Sequence, residues 1–343
     1  MSETQKIICP ECKEGVDRRD FMASVGGQAA TLLAVGGGLS AAPRVLAQAP
    51  GAAAPPQSKP AEAMIRELFN GLSNEQKAQL VFAWDHRANG SQTPTRLRMF
   101  NAAFARRIGD AYTRPQQELV ERILKSICNG EEGWRLISRA GTWDGSQTFG
   151  GCGAYIFGDP TTQQWAWVFM GHHLTVRCDG NSVPDTAFGG PMYYGHSPFG
   201  YSQRNLFYYQ TRSALAVFDS LTEAQRRLAV VTGNPGEQEG SVRFRAGPYP
   251  GIPASELTAD QRRLVEAVMR DVLSPYRRED ADEVMQIVRR NGGLERLCMG
   301  FFRDRENDDS NQWHFWRIEG PGFVWNFRVL PHVHTFVNIS SRF

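Results

Sequence analysis

Trp165-Ala166-Trp167-Val168-Phe169-Met170-Gly171-His172-His173-Leu174-Thr175-Val176-Arg177-Cys178 holds two strand-like runs, Trp165 to Met170 and His173 to Cys178, with turn residues between them. A third run, Ala154 to Phe157, lies just upstream. The C-terminal part repeats the pattern in Trp313 to Ile318, Phe323 to Leu330 and His332 to Val337. Strands so close in sequence favour hairpins, and hairpins give an antiparallel sheet. Before and between the strand groups the period becomes helical. Ser73 precedes Asn74-Glu75-Gln76 as a capping box and opens an apolar face of Ala78, Leu80, Val81 and Trp84. Thr113 and Pro115 open a helix carrying Leu119, Ile123 and Ile127. The fold class expected is α+β, a helical frame packed on a largely antiparallel sheet.

Two later segments, Leu221-Thr222-Glu223-Ala224-Gln225 and Leu257-Thr258-Ala259-Asp260-Gln261, again set a Thr cap three residues ahead of a Gln. With Leu72-Ser73 this makes three helices that start alike. Shared capping chemistry explains the likeness without an ancestral repeat. Gly189-Gly190-Pro191 reads as a turn and not as a phosphate-binding loop.

Arg18-Arg19-Asp20-Phe21-Met22 opens an Ala/Gly/Leu-rich stretch, and Ala23 to Leu46 contains no Lys, Asp or Glu. Small residues follow at Ala47-Gln48-Ala49. This resembles a twin-arginine export signal, with cleavage expected after Ala47 or Ala49. A permanent span would need about 20 strongly apolar residues, so no stable membrane span is expected in the mature chain. The organisation expected is an export signal over 1–49, a flexible Ala/Pro-rich linker over 50–60 and one α+β domain over 61–343. The resemblance implies the export machinery as a partner, folding before transport, and a periplasmic or secreted location.

A formal charge of +2 and the lack of a Lys/Arg-dense run in the mature part argue against nucleic-acid binding, which rests on many phosphate contacts. Four cysteines follow the signal: Cys128, Cys152, Cys178 and Cys298. An exported protein would pair some of them, with Cys152 and Cys178 the first expectation. Cys9 and Cys12 form a CxxC ahead of the signal and lack a second ligand pair.

Four of the seven histidines fall in two compact groups, His172-His173 and His332-Val333-His334. Alternation along a strand puts His332 and His334 on one face, about 6–7 Å apart, a spacing that places two imidazoles on one metal ion. One of His172 and His173 would join them. His173 is preferred as the metal ligand because it shares strand parity with Thr175 and Arg177, and His172 is left to pack, support the site or bind ligand. Three imidazoles would leave one or two coordination positions open, as a reactive site requires. The competing reading is that histidines in aromatic strands are satisfied core or surface groups. Arg317, beside Trp316 on a strand, suits a carboxylate or a bound ligand. Glu319, read with the opposite parity, is the best nearby acid. Tyr193, Tyr194 and His196 sit in a Gly/Pro-rich segment suited to a loop over a pocket. His86 and His314 are less specific, and Asp85-His86-Arg87 reads as an ordinary loop.

From about Leu72 onward the chain resembles the DUF3500 family of exported bacterial proteins. The resemblance is carried by Tyr155-Ile156-Phe157-Gly158, Trp165-Ala166-Trp167, Gly171-His172-His173-Leu174-Thr175, the Thr-x-x-Gln helices, Trp316-Arg317-Ile318-Glu319-Gly320-Pro321 and His332-Val333-His334. It implies that both histidine groups and the Arg before Gly-Pro belong to one site. The family pattern has an acid where this chain has Asn326. It also continues past His-x-His with Trp-Arg-Asp, where this chain has Thr335-Phe336-Val337-Asn338. If that acid and tail complete the usual pocket, the chain is a diverged or inactive branch.

The function expected is metal binding through His173, His332 and His334, with copper, zinc or iron as the ion and a small molecule as substrate. The chemistry would be that of a metal-dependent oxidoreductase or hydrolase, with Arg317 and Glu319 as catalytic groups. The alternatives are a non-catalytic protein binding a ligand or glycan in an aromatic pocket, and a structural protein presenting Tyr193 to Tyr209 as a surface.

Overall fold

Capping boxes set the helix starts. Ser73 Oγ accepts from Gln76 N at 3.2 Å while Gln76 Oε1 accepts from Ser73 N at 3.0 Å. Thr222 with Gln225 and Thr258 with Gln261 repeat the exchange, and Thr113 with Gln116 adds a fourth. The computed structural model describes residues 60–237, 242–303 and 312–343. The export-like segment, the expected linker up to residue 59, and Cys9 and Cys12 lie outside these. The main helices are Pro60–Asn70, Asn74–Leu80, Arg114–Ile127, Gly130–Ile137, Tyr208–Ser220, Glu223–Ala229, Ala259–Leu273 and Arg278–Arg290. No described helix is long and apolar enough to cross a membrane.

The strands are β1 (Val81–Phe82), β2 (Gly153–Gly158), β3 (Trp165–Gly171), β4 (Leu174–Cys178), β5 (Met192–Phe199), β6 (Val230–Thr232), β7 (Ile252–Pro253), β8 (Cys298–Arg303), β9 (Phe315–Gly320), β10 (Phe323–Arg328) and β11 (His332–Ile339). They form one 11-stranded sheet in the order β1-β2-β3-β4-β5-β11-β10-β9-β8-β6, with β7 paired to β8. All neighbours are antiparallel except β1–β2 and β6–β8. The α+β class with a largely antiparallel sheet is the observed one.

The two faces of the sheet differ. One is apolar and helix-covered: Trp167, Phe169, Leu174, Val176, Trp316, Ile318 and Trp325 are buried, and the hydroxyl of Tyr194 reaches Gln210 and Val272 O on two helices. The other carries a row of cross-strand partners, Thr175, Tyr193, Phe336, Asn326 and Arg317, which therefore share a side. Backbone segments cover this polar face and are tied to it. Thr175 Oγ1 bridges Phe100 N and O at 3.0 Å, and Arg177 donates to Arg96 O and Arg98 O. Carbonyls thereby take the place of water for buried donors.

The sheet order is palindromic, and the chain follows it twice. A short helix runs straight into a parallel edge strand in each half: Asn74–Leu80 into β1, with Val81 opposite Ile156, and Glu223–Ala229 into β6, with Val230 opposite Phe301. The capping glutamines then lock in matching pairs. Gln76 donates to Ala111 O and Gln116 to Gly71 O, while Gln225 donates to Glu256 O and Gln261 to Ser220 O. Each accepting carbonyl lies two residues before the partner helix's cap. The hairpin turns correspond too: His173 at φ 54° occupies the place held by Gly322 at φ 71° in the β9–β10 turn. The halves meet at β5–β11, with Met192 opposite Val337. Shared capping chemistry alone is therefore the wrong explanation for the recurring Thr-x-x-Gln starts, because connectivity, register and tertiary hydrogen bonds recur with them.

Two further expectations are corrected. Cys152 and Cys178 form no disulfide, and the four described cysteines are all thiols. Gly153 pairs with Met170 on one side of β3, and Cys178 pairs with Trp167 on the other, so a strand separates the thiols. The strand predicted from His173 begins instead at Leu174. Gly171 pairs with Leu174, which makes His172 and His173 the two turn residues.

Candidate metal centre

The β3–β4 turn thrusts His173 toward the start of β11, where His332 and His334 project side by side. His332 Nε2 lies 3.2 Å from His173 Nε2 and 3.1 Å from His334 Nε2. All three rings are buried. Their other edges are fixed. His173 Nδ1 is 2.8 Å from Asp144 Oδ2, and His334 Nδ1 is 3.0 Å from Glu237 Oε2. An ionised carboxylate only accepts, so both rings carry their proton on Nδ1 and turn a bare Nε2 inward. Arg328 Nη2 lies 3.1 Å from His332 Nε2 and 2.7 Å from His334 Nε2. A guanidinium only donates, so His332 Nε2 is also a lone pair.

The contact between His173 and His332 is thus acceptor against acceptor. Burial holds His173 and His334 well below the ordinary imidazole range and pushes His332 down to about 3, so proton sharing does not relieve it at neutral pH. A cation between the nitrogens does. Metal–nitrogen bonds of about 2.0–2.1 Å in a tetrahedron set nitrogens ~3.3 Å apart, close to the spacing found. The three histidines form a group able to hold a metal ion, and so do Asp144, His172 and His173.

The support around the ligands is dense. Asp144 Oδ1 accepts from His196 Nδ1 at 2.9 Å, and Arg139 Nε stands 3.8 Å from Oδ2. Burial alone would raise the Asp144 carboxyl, but the His173 and His196 hydrogen bonds and Arg139 hold it well below the carboxylate range. Arg139 also donates to His172 O at 2.6 Å and His173 O at 2.7 Å, bracing the left-handed turn. The His172 ring packs against that of His173, centroids 3.8 Å apart, and its Nδ1 accepts from Gly145 N at 3.0 Å. Glu237 Oε1 pairs with Arg328 Nη1 at 2.7 Å, and burial raises its carboxyl.

Arg317 and Glu319 stand apart from the three nitrogens. Arg317 Nη2 donates to Pro235 O and Gly236 O at 3.3 Å, its Nε donates to Asn326 Oδ1 at 2.8 Å, and Asn326 Nδ2 donates to Gly236 O at 3.1 Å. These bonds fix the backbone that presents Glu237. The opposite parity read for Glu319 does not hold, since two residues along a strand return to the same face. Arg317 Nη1 is 3.4 Å from Glu319 Oε1, and Arg245 pairs with Glu319 Oε2. Tyr193 sets its ring edge-on to His334 at 5.5 Å and stacks on Phe336 at 4.6 Å, while Tyr194 points into the helix-covered face. His196 reaches the centre through Asp144.

Sequence reasoning missed Asp144, Glu237, Arg139 and Arg328. Arg328 alone left a trace, a charge directly after the mostly apolar run Phe323-Val324-Trp325-Asn326-Phe327. Asp144 opens a single 3-10 turn, Asp144–Ser146, and Glu237 lies in a loop, where an acid is ordinary. No curated protein and no solved structure matches the chain. The family model described as "Protein of unknown function (DUF3500)" matches residues 56–340, and the chain belongs to that family.

Proposed function

We propose that the protein binds a transition metal through Nε2 of His173, His332 and His334 and uses it as a metal-dependent hydrolase or oxidoreductase on a small molecule. The observation that carries this is the convergence of three buried, neutral imidazoles, two with the proton fixed on the far nitrogen by a carboxylate. That carboxylate–histidine arrangement is how proteins orient metal-ligating rings. Three neutral imidazoles suit zinc, copper or iron and leave a position for an oxygen ligand. Asp144 and Glu237 are the carboxylates that act on the centre in this reading. Arg317, with Asn326, positions the loop that carries Glu237, and Glu319 holds Arg317. The acid-to-Asn departure at Asn326 touches no histidine in the contacts above, which favours a centre that still works. Export after folding, through the Arg18-Arg19 segment, fits a protein that loads its ion first.

The test is metal content. The full chain, isolated without chelator, should hold close to one equivalent of ion, and the His332→Ala/His334→Ala double variant should lose it while keeping its fold. A folded wild-type protein that neither retains nor takes up zinc, copper or iron would sink the proposal.

A further inference from the structure

Among the described residues, the charges paired around the trihistidine centre balance before any ion enters. They are Asp144 and Glu237 of one sign and Arg139 and Arg328 of the other. A divalent ion held by three neutral rings would add two positive charges that no side chain of this set offsets, in a region where those rings are nearly excluded from water. Arg328 adds a directed donor. Its Nη1 is committed to Glu237 and its Nε to His332 O at 3.2 Å, so the guanidinium plane is set from two sides. Its Nη2 faces the lone pairs of His332 and His334, which a metal would claim.

We infer that the bound ion takes an oxyanion in its open position, a carboxylate or phosphate group, with Arg328 Nη2 donating to it. This rests on the trihistidine reading and names its ligand class. The anion supplies the missing negative charge, and Arg328 exchanges two imidazole acceptors for one charged oxygen, a stronger partner. Tyr193 and Phe336 set an apolar wall beside His334, so Arg328 is the charged donor that this geometry directs at the anionic group.

The experiment uses the full chain loaded with cobalt(II), whose visible spectrum reports its ligands, titrated separately with acetate and with inorganic phosphate. The expected result is a saturable spectral change with at least one of them at roughly millimolar concentrations, weakened about 10- to 100-fold in Arg328→Gln and less in Arg328→Lys. The more effective anion tells which oxyanion the position prefers. Failure to bind cobalt would overturn the trihistidine reading itself. Cobalt binding with a spectrum indifferent to both anions, or an equal response in wild type and Arg328→Gln, would overturn this inference alone. Loss of cobalt from both Arg328 variants would also overturn it, by making Arg328 a requirement for the ion and not a donor to its anion.

Discussion

Replacing Asp144 by Asn changes almost no volume but removes a carboxylate that sets the tautomers of His173 and His196 at once. Asp144 accepts from His173 Nδ1 at 2.8 Å and His196 Nδ1 at 2.9 Å, and Ser197 N stands 3.3 Å from Oδ2. An Asn side chain offers one acceptor and one donor, so one of the two rings must meet an NH2 group and move its proton to Nε2. If that ring is His173, the proton occupies the lone pair meant for the ion. Loss of a ligand's carboxylate partner lowers metal affinity by about 10- to 100-fold. Folding suffers as well. Arg139 is buried and would lose its carboxylate, and breaking a buried charge pair by removing one member costs about 3–5 kcal/mol. Metal affinity is measured by competition with a chromophoric chelator, and stability by urea titration of the metal-free protein. Should Asp144→Asn fail to fold, Glu237→Gln tests the same reasoning at His334, where the carboxylate is less buried. Affinity within about twofold of wild type in both Asp144→Asn and Glu237→Gln, each folded, would refute the claim that these carboxylates fix the ligand tautomers.

The metal-free protein should be acid-sensitive. Folded His332 stays neutral down to about 3 while the unfolded chain protonates it near 6.5, so below that pH the unfolded state holds the extra proton and stability falls by up to about 1.4 kcal/mol per pH unit. His173 and His334 shift in the same direction and add to the slope. A urea midpoint equal or higher at about pH 5.5 than at about pH 7.5 would contradict this. The paired capping glutamines should behave alike in the two halves. Gln116→Ala and Gln261→Ala should each cost about 1–3 kcal/mol, and a double-mutant cycle should show coupling for Gln76 with Gln116 and for Gln225 with Gln261; coupling in one half only would weaken the internal repeat. Thiol alkylation of the native protein should spare Cys128 and Cys152, which burial pushes up to about 12 and about 11. Among the four described cysteines, mass spectrometry should find label first at the half-exposed Cys178 and Cys298, and equal labelling of these four would count against the packing around the buried pair.

The sequence alone determined the local structure. A cap side chain, an alternating strand and a turn residue each express forces acting over a few residues, so the Thr-x-x-Gln helix starts, the hairpins around Gly171 and Gly320, and the shared face of His332 and His334 could be read directly. The family likeness was legible in the same short motifs. What the tertiary structure decided depends on distance in the chain. That His173 is the one to meet His332 is set by Arg139 and Asp144, more than 25 positions upstream, and by a left-handed turn that strand parity does not describe. Asp144 and Glu237 are ordinary acids in connecting segments until folding sets them against buried imidazoles. The repeat stayed hidden because helix caps recur in any protein, whereas a palindromic sheet and reciprocal glutamine locks exist only once the halves are folded. Hydrogen bonds between segments and the exclusion of water from the polar face make that difference, since both depend on which distant residues share a neighbourhood.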